Sequence, residues 1–162
     1  LKSYKAINQS NRNTKLSELL SLKYGKQFTV TNNFIKAYDS DKVTIVTDNK
    51  SNNELIQHIV FFKPEKPVLS KNQLYMLTDS LSERLLKGSK LGSHVKIENM
   101  YEPMLYKGFY RGLWKLNKGF MGGPIIISNY NGLQIVTFGI IFAPNTDKRS
   151  YIKKMEAILS FE

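Results

Sequence analysis

Side chains able to do chemistry are densest between Tyr101 and Pro124. Tyr101, Tyr106, Phe109, Tyr110, Trp114 and Phe120 stand there among Gly108, Gly112, Gly119, Gly122 and Gly123, with Arg111 between them and the chain's only tryptophan included. Aromatic faces beside an arginine are the parts of a ligand platform, rings stacking on a base or sugar while the guanidinium holds an anion. The same residue types also favour strands and fill cores. On a strand, Phe109, Arg111 and Leu113 share one face and Tyr110, Gly112 and Trp114 the other, so half of these aromatics are expected to be interior. Phe120-Met121-Gly122-Gly123-Pro124 lacks the spacing of a phosphate-cradling loop and leads into a strand-like run rather than a helix. Adjacent glycines before proline are expected to make a sharp bend or bulge, with Phe120 and Met121 covering a sheet edge or projecting as a tip. The candidate binding residues are therefore Tyr110, Arg111, Trp114, Phe120 and Met121.

No catalytic constellation accompanies them. His58 and His94 lie far apart in the chain and neither has a histidine or carboxylate at ligand spacing, so no metal site is expected. Gly-x-Ser-x-Gly is missing, and the serines fall mainly in caps and loops. Glu98 with Glu102, and Asp39 with Asp41, are the nearest approaches to an acid/base pair, and both read as solvated carboxylates. Asp147-Lys148-Arg149 reads as a helix start. The sequence has no cysteine, which removes thiolate catalysis, zinc knuckles and a disulfide scaffold together. The expectation is a non-enzymatic protein with no cofactor.

The net charge of +11, from 24 Lys+Arg against 13 Asp+Glu, admits nucleic acid, an anionic lipid head group or an acidic glycan as a partner. Only Arg12, Arg84, Arg111 and Arg149 are arginines and the remaining twenty are lysines. Arginine clamps phosphate through two parallel hydrogen bonds, whereas lysine is a hydrated point charge that serves solubility as well. With asparagine abundant throughout, AT-rich coding bias explains the lysines better than a nucleic-acid surface does.

The elements that must position these residues follow from periodicity. Residues 1–14 carry Lys2, Lys5 and Arg12, no acid and no apolar period, and read as a linker or frayed helix end. Residues 15–162 read as a single α+β domain, long enough at 162 residues in all to bury a core. Leu16, Leu19, Leu20 and Tyr24 make the stripe of a short helix that Gly25 stops. Strand-like runs follow at Phe28 to Val30, Phe34 to Tyr38, Val43 to Thr47 and Leu55 to Phe62, arranged as a meander. The last is apolar on both faces and is expected to be central. Ser70 caps a second helix striped by Leu74, Leu77, Leu81 and Leu85, ended by Lys87-Gly88. Strands are expected at Val95 to Tyr101, Leu105 to Leu116, Ile125 to Tyr130 and Leu133 to Phe142, the last two joined as a hairpin by Asn131-Gly132. A terminal helix capped by Thr146 or Asp147 carries Tyr151, Ile152, Met155, Ile158 and Leu159 on one stripe. Hairpins between helices, without repeated βα alternation, give an antiparallel β-sheet flanked by helices, an α/β sandwich.

Arg111-Gly112-Leu113-Trp114-Lys115, Phe120-Met121-Gly122-Gly123-Pro124 and Phe142-Ala143-Pro144, followed by Lys148-Arg149 and Glu156-Ala157-Ile158-Leu159, occur in an order that resembles a family of Bacteroidota lipoproteins classed as domain of unknown function 4837. The resemblance runs from about Leu16 to the end and corresponds to the C-terminal half of those proteins. Ile125-Ile126-Ile127-Ser128 departs from the family's usual mix of aromatic and polar residues after the proline. The order of elements is also similar to the Mog-one and photosystem-P-protein fold. The resemblance implies a cell-envelope location, on the periplasmic side or anchored in the outer membrane, with the lipid anchor on an N-terminal part missing here; the opening Leu1 fits a trimmed piece. Aromatics, methionine and arginine are enriched at protein interfaces. The leading expectation is thus an envelope domain that binds another protein through Tyr101 to Pro124, with an anionic polymer as the alternative partner.

Overall fold

A computed structural model describes residues 2–49, 55–128 and 134–160. It shows an α+β fold in which an antiparallel sheet lies between helices. The first stretch is a helix, α1 (Lys2–Ser10), not a linker or frayed end. Tertiary contact overrides its weak local pattern: α1 packs on the terminal helix, and the Asn8 amide, buried, donates to the Lys154 carbonyl at 3.0 Å.

Helix α2 (Thr14–Tyr24) is bounded as its sequence demands. Asn13 accepts the Leu16 N–H, and Gly25 turns left-handed at φ +69° so that its own N–H reaches the Ser21 carbonyl. Phe28 to Val30 is not a strand. Its backbone groups bond to α2 and its cap instead: the Val30 carbonyl accepts the Asn13 N–H and the Ser17 hydroxyl, the Val30 N–H donates to Ser17 and the Phe28 N–H to Ser21, with Phe28 and Val30 fully buried.

β1 (Ile35–Asp39), β2 (Val43–Asn49) and β3 (Ile56–Phe62) form the expected meander. Helix α3 (Lys71–Leu85) starts where Ser70 accepts the Gln73 N–H, while the Gln73 side chain reaches back to the Leu69 N–H. The region expected as two strands from Val95 to Leu116 is three: β4 (Val95–Ile97), β5 (Met104–Tyr106) and β6 (Phe109–Leu116). Lys107 and Gly108, both at positive φ, make a two-residue turn between β5 and β6. β7 (Gly122–Ser128) and β8 (Val136–Phe142) pair antiparallel, as expected of a hairpin; Asn131-Gly132 itself lies outside the described residues. Helix α4 (Arg149–Leu159) begins after Lys148 without a side-chain cap, although Asp147 does accept the Arg149 N–H.

The strand order is β1-β2-β3-β8-β7-β6-β4, with β5 also on β6, so β3 lies inside the sheet as its two apolar faces require. One face buries Ile59, Phe61, Ile126 and Ile141 against Leu16, Leu20 and Tyr24 of α2 and Met155, Ile158 and Leu159 of α4. The other buries Val60, Tyr110, Ile125, Ile127 and Phe138 against Leu74 and Leu81 of α3. Two apolar faces on one sheet need two covering layers, which the helices supply. At Gly139 a Cβ would run into the Met155 sulfur, so the glycine is what lets α4 sit down on β8.

Candidate functional site

The sheet sends the five candidate residues in different directions. Tyr110 and Trp114 point into the α3-side core, 6% and 4% exposed. Tyr110 meets Tyr75 edge-to-face at 5.6 Å, and the Tyr75 hydroxyl donates to the Pro103 carbonyl. Burial pushes the Tyr75 phenol up to about 12. The Trp114 indole N–H donates to the Ile141 carbonyl at 2.9 Å, fastening β6 across β7 to β8. Neither ring is available to stack on a ligand at the surface.

Arg111 faces the opposite side and is committed. Its Nε and Nη2 donate to the Glu156 carboxylate at 2.5 and 2.7 Å, and that carboxylate is 4% exposed. The expected anion held by Arg111 is thus a side chain of α4. This fork-to-fork pair, with Lys153 3.8 Å away, satisfies a buried charge and fixes α4 against β6.

Phe120 and Met121 part company. Phe120 is fully exposed, following Gly119 at φ +132°, while Met121 turns inward and packs half-buried on the α3-side core. The glycine pair makes no bulge, because β7 runs in unbroken register with β6 from Gly122 onward. Close approach explains it: a Cβ on Gly123 would collide with the Ile141 carbonyl, the acceptor of the Trp114 bond, and one on Gly122 would lie 2.8 Å from the Trp114 carbonyl oxygen. Pro124 sits one residue before pairing with β8 begins, where its missing N–H costs no ladder bond.

What the segment does present is β5. Met104, Leu105 and Tyr106 are 75%, 56% and 43% exposed, and Met100, Tyr101 and Leu113 are exposed with them. β5 pairs only with β6 among the described residues, so its outward backbone groups have no strand partner. β4, on the same side of β6, is protected. The Val95 N–H goes to the Leu86 carbonyl and the Ile97 N–H to Asp79 at 2.8 Å, a carboxylate whose pKa burial raises. The Arg111 guanidinium lies 4.2 Å from the Tyr106 ring, with the Lys107 and Lys153 ammonium groups at 5.3 and 5.6 Å, so the apolar strip has a cationic border. Reading Leu105 to Leu116 as one strand hid this edge; the signal was Tyr106-Lys107-Gly108-Phe109, a two-residue turn without the usual asparagine.

A second feature lies on the α3 side, past the end of that helix. A cavity of about 170 Å³ is lined by Ile56, His58, Leu86, Val95, Trp114, Leu116, Met121, Ile140 and Phe142, with Lys87 at its exposed rim. Thus Trp114 and Met121 meet in the wall of a cavity that opens past Lys87 rather than on the outer surface. His58 is half-buried there, and burial pushes its pKa down. Sequence reasoning placed His58 in a central strand but gave it no role.

The carboxylates are used one at a time. Glu98 pairs with Lys115 and accepts the Met100 N–H, Glu102 pairs with Lys71, and Asp39 is held by Lys23 and Lys36. Lys23 and Thr44 donating to Asp39 hold its pKa below the usual carboxylate range. Among the described residues no group of three His, Cys, Asp or Glu side chains could hold a metal ion, and no helix is long and apolar enough to cross a membrane.

The family model described as "Domain of unknown function (DUF4837)" matches residues 13–160. No curated protein matches the chain.

Proposed function

We propose that this chain, which belongs to the DUF4837 family, is a non-enzymatic domain that binds another protein along the open edge of β5. The observation that carries this reading is the run Met104, Leu105 and Tyr106, apolar and exposed at every position of an edge strand. Natural sheets blunt such edges with charge, proline or a covering element, because an uncovered apolar edge recruits another chain. The partner that fits is an extended segment added to β5 by main-chain bonds, with apolar side chains over Leu105 and acidic ones toward Lys107 and Lys153. The exposed rings of Tyr101 and Tyr106 are contact residues of the kind that dominate interface energies, whereas Phe120 lies in the turn at the opposite end of β6 and is not part of this edge. Tyr110 and Arg111, paired with Leu105 and Met104, support that edge from behind, while Trp114 and Met121 lie further along toward β4 and the interior.

The polyanion alternative has less support. Arg111 already serves Glu156, and Arg149 lies beside Asp147. A location in the cell envelope, on the periplasmic side or lipid-anchored in the outer membrane, rests on the resemblance to Bacteroidota lipoproteins; fractionation of the full-length protein with a fatty-acid label tests it.

The contact is tested with a photo-crosslinking residue placed at Leu105 or, as control, at Ala37 on the other edge, in the full-length protein in its own cells. A discrete adduct at 105 that is lost when Met104→Lys is added supports the reading, and equal labelling at both positions overturns it. Salt separates the alternative: polyanion binding should weaken by about 10³-fold or more between roughly 50 and 200 mM salt, whereas an apolar edge contact should change little.

A further inference from the structure

Three observations converge on the cavity beside Trp114, and none depends on the β5 contact. The first is its size. About 170 Å³ of space compares with the roughly 150 Å³ apolar cavity that accepts a benzene ring. The second is its wall, in which Ile56, Leu86, Trp114, Leu116, Ile140 and Phe142 surround the imidazole of His58, while Lys87, Gly88 and Ser89 form the mouth.

The third is the state of that imidazole. The Thr47 hydroxyl has one hydrogen, and it donates it to the Gln57 carbonyl at 3.0 Å. The same oxygen lies 2.5 Å from Nδ1 of His58, so it must accept there, and Nδ1 must carry the hydrogen. Burial favours the neutral ring. In a neutral imidazole protonated on Nδ1, Nε2 is a bare acceptor. Among the described residues Nε2 has no hydrogen-bond partner, and His58 lines a mainly apolar cavity whose other polar side chains, Lys87 and Ser89, stand exposed at its mouth.

We propose that this cavity is a binding site for a small neutral molecule made of one aromatic ring or a short acyl body and a single hydroxyl, which donates its hydrogen to Nε2 of His58. The apolar wall takes the body, and the acceptor selects the hydroxyl. A ligand of the same shape without a donor forfeits that bond.

Trp114 is the only tryptophan in the chain and lines the cavity, so its emission reports occupancy directly. Titration of the whole chain with phenol, excited beyond phenol's own absorption, should give a saturable change. Anisole, nearly the same shape without the donor, should need about tenfold more, the size of one hydrogen bond. Thr47→Val removes the acceptor that sets the tautomer and should shrink this preference while ring-body binding persists; His58→Phe should abolish the preference. Equal midpoints for phenol and anisole in the native chain, or no saturable change in Trp114 emission, would overturn the proposal. An unchanged preference in Thr47→Val would overturn the role given to Nε2.

Discussion

The two edges of the sheet are built on opposite plans. β1 also exposes apolar side chains, Ile35 and Tyr38, but sets Lys36 and Asp39 among them and skips Ala37 in its pairing with β2, a bulge that bends the strand away from a flat template. Asp39 is then tied to α2 through Lys23 at 2.5 Å. At the far side, β4 has its outward N–H groups capped by Leu86 and Asp79, while β5 carries neither charge nor bulge on its own residues. The guarded edge is secured from outside by charge, and the open edge from behind by buried side chains. A sheet that guards one edge and part of the other but leaves three apolar residues open has a place for a partner strand.

The sharpest way to break this contrast is to loosen β6, the strand on which both β4 and β5 pair. Trp114→Ala deletes a buried indole and its bond to the Ile141 carbonyl, and should cost about 3–5 kcal/mol in denaturant unfolding. Amide exchange should rise first in β4, β5 and β6 while β1 stays protected to the global limit. Equal acceleration at β1 would show that the two edges are not held independently.

Next in size is the pair under Tyr106. Glu156→Gln keeps the shape and removes the charge that Arg111 needs, and should cost about 2 kcal/mol, below the roughly 3–5 of a fully buried pair because Arg111 is partly exposed. Arg111→Met together with Glu156→Leu should recover much of the loss. If the double variant is as unstable as the single one, the pair does more than satisfy its own charges.

At the guarded edge the effect is smaller and depends on pH. The pKa of Asp39 is lowered in the folded chain, so its contribution is fully present above the ordinary carboxylate value and disappears as pH falls through the lowered one. Asp39→Asn should therefore lower stability at pH 7 by less than about 1 kcal/mol, as for exposed pairs generally, and converge with the native chain at acid pH. A difference that persists at low pH would assign the loss to packing, not to charge.

The layout of these edges was legible in the sequence only in part. Where a pattern repeats over many residues, as in α3, the stripe faces the core, with Leu74 and Leu81 buried and Leu77 and Leu85 half-buried beside them, and Ser70 caps the helix. The two apolar faces of β3 require an interior position, and it lies between β2 and β8. The failures are where one distant contact outweighs a local pattern. α1 is helical against a polar run because it packs on α4, and Phe28 to Val30 lies beside the serines of α2 without a strand partner. At the site, residue type identified the right segment but not direction. A period of two separates Tyr110 and Trp114 from Arg111, yet it cannot show that Glu156, distant in sequence, already occupies the arginine. Nor can it show that the exposed strip begins before the turn, at Met104.

The smallest effect tests that turn. Lys107 stands at φ +49° and Gly108 at +87°, the mirror-image turn that matches the twist of a hairpin. A left-handed conformation costs an L residue with a Cβ about 1–2 kcal/mol, and asparagine tolerates it better because its short amide bonds locally. Lys107→Asn should therefore raise stability by roughly 0.5–1 kcal/mol while leaving the Met104, Leu105 and Tyr106 strip unchanged. It also removes one of the cations beside Tyr106. If the partner reads the acidic complement of that border, the stabilised variant should bind more weakly despite its firmer hairpin; if only the apolar edge is read, binding should hold or tighten as β5 becomes better ordered. The two outcomes have opposite signs, so a single affinity measurement beside a melting curve separates the charge of this edge from its shape.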